Sequence, residues 1–303
     1  MSGLKIWSVG SGKGGVGKSF ITSSLGLTLA KTGHKTLLVD LDLSGPNLHT
    51  ALGEKPHDKN LDLFFNQQAN VSSIISPTKY PHLSFIPGTS SPGERKVAEL
   101  RQFVEQIRKL PYQVVLFDLG PGSQDMHLEL MKLSDEKIFV MTPEPSCIEK
   151  NYRLIENFII YNLMRPSDPE TKVKLREALD KFRSHKKPSP IKLRHFMAEH
   201  ADKTWEQDRP FSTNPVRILV NQARVDDDSM LAKSVGLICH HYFGLKTSVV
   251  GTLIYDNAVW QSFRDSEPML YKNPFSPLAS QFLALTREIL RSEMSAFPYK
   301  AVL

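Results

Sequence analysis

Four glycines and two lysines stand close together near the start of the chain, between a short apolar run and a helical pattern. In order, the residues of this stretch are Gly12, Lys13, Gly14, Gly15, Val16, Gly17, Lys18, Ser19 and Phe20. They match the pattern G-x-x-x-x-G-K-[ST] in the strand–loop–helix context that the pattern requires. Glycines allow successive backbone N–H groups to point at phosphate oxygens, and the start of the following helix adds partial positive charge. The stretch therefore predicts a phosphate-binding loop, against the alternative of a glycine-rich turn without a ligand.

The two lysines and the serine of this loop suggest separate chemical roles. From its place in the pattern, Lys18 should reach the β- and γ-phosphates of a nucleotide, and the Ser19 hydroxyl should ligate Mg²⁺. Lys13 is a second lysine inside the loop, and it adds a repulsion that a bound anion would neutralise. The alternative for Lys13 is a solvated loop charge.

Three carboxylates follow apolar runs elsewhere in the sequence. Asp40 and Asp42 come at the end of one run, and Asp118 ends another. In a doubly wound sheet, ligands collect at the carboxyl ends of the strands, which is where these side chains should lie. Asp118 has the position of a Walker-B aspartate, which organises Mg²⁺ through a water molecule. For Asp40 and Asp42 a second interpretation stays open, in which they cap the turn at residues 44–46.

The elements that must position these residues alternate along the chain. Short apolar runs predict strands, and helical patterns lie between them. The predicted strands are Leu4–Val9, Thr36–Val39, Leu83–Ile86, Val114–Phe117, Lys137–Met141, Val216–Val220 and Ser248–Leu253. The predicted helices are Phe20–Thr32, Glu94–Lys109, Asp125–Leu133, Cys147–Met164 and Ser229–Phe243. This alternation indicates an α/β fold with a doubly wound, mainly parallel sheet and helices on both faces.

We expect one domain over residues 1–303, with two additions to the alternating pattern. Residues 165–211 are rich in Lys, Arg, Pro and His and have too few apolar positions for a core of their own, which predicts a basic helical insertion. Residues 276–294 carry an apolar stripe at helical spacing and predict a C-terminal helix that docks on the fold. A membrane-surface helix is the alternative for this segment, but its polar face mixes acidic and basic residues.

Composition and charge exclude several classes of protein. Of the 303 residues, 40% are hydrophobic, which is enough for a packed core and excludes a mostly disordered chain. No apolar stretch is long enough to span a bilayer, and the first residues carry no signal-peptide pattern, so we expect a cytoplasmic protein. Residues 165–195 hold ten Lys or Arg and four Asp or Glu, an excess that equals the net charge of +6. Such a basic segment suggests an acidic partner, either nucleic acid or an anionic membrane.

The two cysteines, Cys147 and Cys239, form no C-x-x-C pair. Their spacing therefore disfavours a zinc knuckle, a thioredoxin-like site and a cysteine-ligated cluster within one chain. We expect two buried thiols instead.

The sequence Lys-Gly-Gly-Val-Gly-Lys-Ser at residues 13–19 resembles the deviant phosphate loop of the MinD/ParA family of ATPases. In that family the early lysine, here Lys13, reaches across a nucleotide-sandwiched dimer to the partner's phosphates. The resemblance also implies that Asp42 polarises the attacking water, that Asp40 supports the metal's water shell, and that Asn221, at a strand end, reads adenine. It thus implies ATP and Mg²⁺ as cofactors, with Lys13, Lys18 and Asp42 as catalytic residues and Ser19, Asp40 and Asp118 around the metal.

Within this family the sequence most resembles the flagellar-number regulators (FlhG/FleN). The likeness lies in residues 40–53, in residues 118–122 and around residues 255–259. One departure is Pro121, which stands where the family usually has alanine and predicts a stiffer second switch loop.

This resemblance implies an ATPase switch. It would form an ATP-sandwiched homodimer, hydrolyse ATP slowly when a protein partner stimulates it, and place a flagellum, a division site or another polar apparatus. Peripheral contact with the inner face of the cell membrane is compatible with that function. Two alternatives stay open: a ParA-type partitioning ATPase that uses the basic insertion on DNA, which is less favoured, and a nucleotide-bound scaffold with negligible turnover. The iron–sulfur carrier branch of the same superfamily is disfavoured by the missing C-x-x-C.

Overall fold

One sheet runs through the part of the chain that the computed structural model describes. The described residues are 3–43, 45–55, 57–89, 95–163, 216–224, 228–243 and 247–292, together with the single residues 173, 177 and 180. The strands in these ranges are β1 (Lys5–Ser11), β2 (Thr36–Leu41), β3 (Ser76–Pro77), β4 (Leu83–Ile86), β5 (Val114–Pro121), β6 (Glu136–Met141), β7 (Val216–Ala223) and β8 (Thr247–Ile254). They pair in the order β3-β4-β2-β5-β1-β6-β7-β8.

All neighbouring strands are parallel except β3, which is antiparallel to β4 at one edge. Since each parallel connection must cross over the sheet, the strand order places helices on both faces. The prediction of a doubly wound, mainly parallel α/β sheet is therefore confirmed.

The helices follow the strands in chain order. Their bounds are α1 (Lys18–Lys31), α2 (Leu48–Leu52), α3 (Leu61–Phe65), α4 (Val97–Ile107), α5 (Asp125–Leu133), α6 (Pro145–Leu163), α7 (Asp228–Phe243), α8 (Asn257–Asp265), α9 (Met269–Lys272) and α10 (Pro277–Ser292), with a short 3₁₀ turn at Val71–Ile74. The sequence patterns missed α2, α3, α8, α9 and the two-residue strand β3. Most of these are too short to show a periodicity in the sequence.

The core lies around the central strands, and α1 crosses it. Strands β1, β2 and β5 are almost wholly buried on both faces, and Trp7 in β1 is fully buried. Helix α1 is buried along most of its length, because α10 packs over it with the Phe20 and Phe282 rings edge to face, 5.5 Å between centroids. A strand and a helix fixed in this way give the loop between them, residues 12–17, a rigid frame.

Helix α2 ends against the chain that follows α8. Gly53 closes α2 with a φ of 62°, in the left-handed region that favours glycine. A Cβ at Gly53 would lie 2.1 Å from the backbone oxygen of Ser266, so the position has no room for a side chain. The segment after β2 and the segment after β8 are therefore in direct backbone contact.

The two predicted additions to the fold have different outcomes. The insertion expected at residues 165–211 lies outside the described residues, apart from 173, 177 and 180. The C-terminal helix is present as α10, and its apolar side chains Leu278, Phe282, Leu285 and Ile289 are buried. Within the described residues, no helix combines the length and the apolar content needed to cross a membrane.

A buried ion pair joins β6 to β7. The Arg217 guanidinium donates to both carboxylate oxygens of Glu136, at 2.9 Å from Nε and 3.3 Å from the terminal nitrogen. Arg217 is 1% exposed and Glu136 is 3% exposed, so removal of one partner would leave the other charged and buried.

We predict that Arg217→Met lowers the free energy of unfolding by about 3–5 kcal/mol, because it leaves the Glu136 carboxylate without its counter-ion. The double variant with Glu136→Leu should recover most of this loss, since it removes the unpaired charge. Urea denaturation of the single and double variants measures both values. A double variant no more stable than Arg217→Met would contradict the prediction.

Candidate functional site

The loop between β1 and α1 exposes the N-terminal end of α1. Gly15 and Gly17 have φ values of 76° and 92°, a conformation that side-chain-bearing residues rarely adopt. Gly17 occupies the N-cap position of α1, and no side chain caps this end of the helix. The first N–H groups of α1 therefore keep free hydrogen-bonding capacity and partial positive charge, which suits an anion.

The start of the loop is fixed by α6. The Gly12 N–H donates to Asn151 Oδ1 at 3.2 Å, and Asn151 Nδ2 donates to the Cys147 backbone oxygen at 2.9 Å. A Cβ at Gly12 would lie 2.1 Å from the backbone oxygen of Lys150, so only glycine fits this close approach. Asn151 is buried and was not found from the sequence, because it lies far from the loop in the chain.

Asp118 lies buried at the end of β5, beside the loop. The Thr22 hydroxyl donates to its Oδ1 at 3.0 Å, and the Ser19 hydroxyl also donates to this carboxylate. Burial raises the pKa of Asp118 to about 6, although the hydroxyls and nearby Lys18 act in the opposite direction. Within the described residues, its buried Oδ2 has no hydrogen-bond partner.

An unpartnered buried carboxylate oxygen next to a hydroxyl fits a Mg²⁺ ion. Magnesium is commonly held by one or two protein oxygens together with water and substrate phosphates. In the described ranges, no cluster of three or more His, Cys, Asp or Glu side chains is arranged to hold a metal alone. Ser19 and Asp118 thus supply only part of the coordination shell of a Mg²⁺ ion, and phosphate oxygens and water would supply the rest.

Asp40 is buried near the end of β2, where it pairs with Asp118 of β5. Its Oδ2 accepts a hydrogen bond from the Leu48 N–H at 3.0 Å, and its Oδ1 accepts one from the Asp42 N–H at 3.2 Å. Burial and the neighbouring Asp118 raise its pKa well above the ordinary value. Asp40 therefore ties the loop to the start of α2, whereas the bond to the turn at residues 44–46 that the capping interpretation expects is made by Asp42, to the Gly45 N–H.

Asp42 lies where β2, β5 and α5 meet. Its Oδ1 accepts a hydrogen bond from the Gly45 N–H at 3.2 Å. A Cβ at Gly120 would lie 3.1 Å from Asp42 Oδ1 and 3.0 Å from His127 Nε2, so both atoms border the space that this glycine leaves. His127 is buried, and burial lowers its pKa, which favours the neutral ring. The sequence analysis did not identify His127.

Lys13 contacts α6 of its own subunit. Its Nζ donates to the Glu144 carboxylate and, at 3.2 Å, to the Ser146 hydroxyl. The hydrogen bond with Glu144 is the main reason that the pKa of Lys13 is raised. The ion pair is partly exposed, with 29% of the Lys13 side chain and 56% of the Glu144 side chain accessible, so water screens it.

Many of the predicted residues line one cavity of about 570 Å³. These are Gly14, Gly15, Gly17, Lys18, Ser19, Phe20, Asp42 and Asn221, with Pro121 of β5 beside them. Asp40 and Asp118 lie behind this surface, Val16 is buried, and Gly12 packs on α6. The cavity has the size of a typical small-molecule site.

Asn221 lies against the phosphate loop at one end of the cavity. Its Nδ2 donates to the Val16 backbone oxygen at 2.8 Å, and this same atom would be 2.5 Å from a Cβ at Gly17. The side-chain amide keeps its acceptor oxygen and a second N–H for a ligand. Gly17 is thus required both for its backbone conformation and for the approach of Asn221.

Pro121 ends β5 and pairs with Ser11 of β1. The following Gly122 has a φ of 93°, and its N–H donates to the Ser11 backbone oxygen at 2.9 Å. The ring of Pro121 is 3.9 Å from the position of a Cβ on Gly14. The proline thus contacts the space beside the phosphate loop and limits the backbone freedom of the turn that follows it.

The two cysteines are buried, as the sequence predicts, with no exposed surface. Cys147 Sγ accepts a hydrogen bond from the Thr142 N–H at 3.3 Å, and burial raises the pKa of Cys239 to about 12. Neither thiol is placed to ligate a cluster at the surface.

Comparison with known proteins finds one family model over the first half of the chain. Residues 4–161 match the model described as ParA: NUBPL iron-transfer P-loop NTPase. A cytosolic Fe-S cluster assembly factor NUBP2 homolog from Culex quinquefasciatus is 34% identical over 152 residues, which is 46% of this chain and 58% of the relative. The flagellum site-determining protein YlxH of Helicobacter pylori is 34% identical over 175 residues, or 53% of this chain and 58% of the relative.

The chain therefore spans less than two thirds of the length of these relatives. Among solved structures, the septum site-determining protein MinD complexed with Mg-ADP from Pyrococcus horikoshii has a TM-score of 0.65 and 21% identity. That alignment covers 97% of this chain and 100% of the MinD chain. At this identity the likeness shows a shared fold.

We predict that Asp118→Asn stabilises the nucleotide-free protein, and does so more at alkaline than at acidic pH. The folded-state pKa of about 6 lies above the ordinary value of 3.8, so the folded state binds a proton more tightly than the unfolded state. Ionisation then costs stability as pH rises from about 4 to 6, up to about 3 kcal/mol above that window. Asparagine removes this cost, so the gain should be about 3 kcal/mol at pH 7.5 and about half of that at pH 5.

Denaturant unfolding of wild type and variant at the two pH values measures this difference. Asp265→Asn is the control, because Lys272 holds the pKa of that exposed carboxyl below its ordinary value and its replacement should bring no gain. An equal effect of Asp118→Asn at both pH values would contradict the prediction.

Proposed function

Because the chain belongs to the ParA/MinD family of P-loop NTPases, we propose that it is an ATP-dependent switch that binds ATP with Mg²⁺ and hydrolyses it. The observation that carries this proposal is the convergence of three features on one cavity. These are the uncapped N-terminal end of α1, the buried unpartnered oxygen of Asp118 behind it, and the Asn221 amide beside the phosphate loop. Together they offer complementary groups to a phosphate chain, a hard cation and a base.

Each side chain has a task in this proposal. The N–H groups of the loop and the Lys18 ammonium bind the phosphates and stabilise charge that develops during phosphoryl transfer. Ser19 and Asp118 would hold Mg²⁺, with Asp40 behind them, and the ion would neutralise charge at the phosphates. Asp42 orients the attacking water in line with the γ-phosphate. Asn221 accepts a hydrogen bond from the exocyclic amine of adenine through its Oδ1 and so favours ATP over GTP.

Dimerisation is the second part of the proposal. Lys13 pairs with Glu144 and Ser146 of its own subunit, and the proposed dimer requires its ammonium to face the partner's phosphates instead. An exposed ion pair contributes little stability, so a triphosphate on a second copy can compete for this lysine. ATP would thus shift the population from monomer to dimer, and hydrolysis would return it.

By similarity to YlxH and MinD, we propose that the ATP-bound dimer presents a surface for a protein partner and places a cellular structure. Cytoplasmic location and peripheral membrane contact belong to this proposal. The DNA-partitioning alternative rests on the basic segment, which lies outside the described residues, and it predicts salt-sensitive DNA binding.

A second candidate function is transfer of an iron–sulfur cluster, which is favoured by the matched family model and by the NUBP2 relative. The burial of both Cys147 and Cys239 argues against it, because cluster ligands must be reachable thiolates. Reconstitution with iron and sulfide under reducing conditions separates the two: a bound cluster with its visible absorbance would favour this second function.

We predict that ATP doubles the molar mass of the protein and ADP does not. With ATP, Asp42→Ala should stay dimeric because it cannot orient water, while Lys13→Ala should stay monomeric because it cannot reach the partner's phosphates. Light scattering coupled to size exclusion, with phosphate release measured in parallel, tests all three proteins. If ATP leaves the molar mass of both wild type and Asp42→Ala unchanged, the proposed dimer is wrong. If Asp42→Ala releases phosphate as fast as wild type, the catalytic role of Asp42 is wrong.

We further predict that Glu144→Gln lowers the ATP concentration needed for dimerisation by up to about fivefold, the effect of one exposed ion pair. The substitution removes the carboxylate that holds Lys13 and keeps the length of the side chain. Glu149→Gln is the matched control, since it breaks another exposed ion pair, which Glu149 forms with Arg153 within α6. Equal ATP dependence in Glu144→Gln and Glu149→Gln would mean that the Lys13–Glu144 pair does not oppose dimerisation.

A further inference from the structure

Large apolar side chains are exposed at one end of the cavity that contains the phosphate loop. Trp260 of α8 is 65% exposed, and Tyr255, between β8 and α8, is 44% exposed. Both line the cavity, together with Ile254 and Phe263. Aromatic rings of this size are normally buried, so their presence around a polar cavity points to a flat ligand group.

Backbone and side-chain contacts fix Tyr255 next to the strand that carries Asn221. The Tyr255 N–H donates to the backbone oxygen of Ala223 at 2.8 Å. Ala223 is the last residue of β7 and lies two residues after Asn221 in that strand. The Tyr255 hydroxyl donates to Asn257 Oδ1 at 3.1 Å, and the Arg224 guanidinium lies 4.4 Å from the ring centroid. The ring is therefore held in place before any ligand binds.

Helix α8 fixes Trp260 in a similar way. The Asp256 side chain caps the helix by accepting a hydrogen bond from the Ala258 N–H at 2.8 Å. The Arg264 guanidinium, one turn further along, lies 5.8 Å from the centroid of the indole ring. The capped helix sets the position of the Trp260 backbone, and the exposed part of the indole ring remains available for stacking.

Strand β7 connects the phosphate loop to the aromatic side chains, because its Asn221 contacts the loop and its Ala223 accepts the Tyr255 N–H. The Asn221 side chain lies against Val16 and Gly17 of the phosphate loop, and it lines the same cavity as Trp260. A nucleotide with its phosphates on the loop would extend past Asn221 toward the exposed rings. We propose that the base of the bound nucleotide stacks on Trp260, with Tyr255 beside it, and that this aromatic surface selects purine nucleotides. The assignment rests on the proposed function and adds a second specificity-determining side chain to that site, beside Asn221.

Stacking energy gives the size of the expected effect. A base stacked on an aromatic side chain contributes an amount equivalent to about a five- to 150-fold change in affinity. Purines present a larger π-face than pyrimidines, so the indole ring should favour adenine over cytosine. The triphosphate contacts lie at the other end of the cavity and should not depend on Trp260.

The test compares wild type, Trp260→Ala and Trp260→Phe by calorimetry with Mg²⁺ and three ligands: ADP, CDP and pyrophosphate. Diphosphates are used because the proposed dimer forms only with ATP, so affinity is measured on the monomer. Phe275→Ala is the matched control, since Phe275 is 96% exposed and is not part of the cavity lining. We expect Trp260→Ala to weaken ADP binding at least fivefold, to reduce the preference for ADP over CDP, and to leave pyrophosphate binding unchanged. Trp260→Phe should retain most of the ADP affinity.

Three results would overturn the inference. Wild-type ADP affinity in Trp260→Ala means that the base does not contact the indole. An equal loss of affinity for ADP and for pyrophosphate means that the substitution disturbs the phosphate loop. If ADP affinity is unchanged but ATP no longer raises the molar mass, Trp260 belongs to the subunit interface instead. Failure of the folded wild type to bind ADP or ATP removes the proposed function itself, which is distinct from failure of the stacking contact alone.

Discussion

The start of α1 has no capping side chain, and the chemistry of the site depends on this. Gly17 stands at the N-cap with a backbone conformation that other residues rarely adopt, and Asn221 approaches it too closely for a Cβ. A serine or aspartate at this position would satisfy the first N–H groups and close the helix to a ligand. Without one, these donors stay open to an anion, and the remaining groups of the cavity are arranged around that opening.

Two carboxylates are buried directly behind this positive helix end. Burial raises the pKa of both Asp40 and Asp118, and the charge of Asp118 raises the pKa of Asp40 further. Their surroundings differ: each oxygen of Asp40 accepts one backbone N–H, while Asp118 keeps one oxygen without a partner among the described residues. An electrostatic cost of this kind in the free protein would be relieved by a cation, which explains how such a pair can be tolerated in a fold of marginal stability.

The sequence predicts the parts of this arrangement that repeat a local pattern. Apolar runs locate β1, β2 and β4–β8, and the glycine–lysine pattern locates the phosphate loop, because each is encoded by consecutive residues. The sequence did not identify Asn151, Glu144 and His127, because they come from distant parts of the chain. Asn151 and Glu144 form hydrogen bonds with the phosphate loop, and His127 lies near Asp42. The turn-capping bond of Asp42 stayed one of two alternatives, because a carboxylate that follows a strand has the same local sequence whether it binds backbone or a ligand. Helices such as α2 and α9 are formed by tertiary contacts and carry too few residues for a periodic signal.

The close approach of Gly53 to Ser266 gives the molecule a mechanical property. The loop that carries Asp42 runs into α2, and the helix that carries Trp260 ends at Ser266, so two walls of the cavity meet where Gly53 approaches the Ser266 backbone. Gly53 has no side chain that could absorb a displacement. A displacement of either segment toward the other is therefore opposed by backbone atoms, so these two walls of the cavity are mechanically coupled at this point.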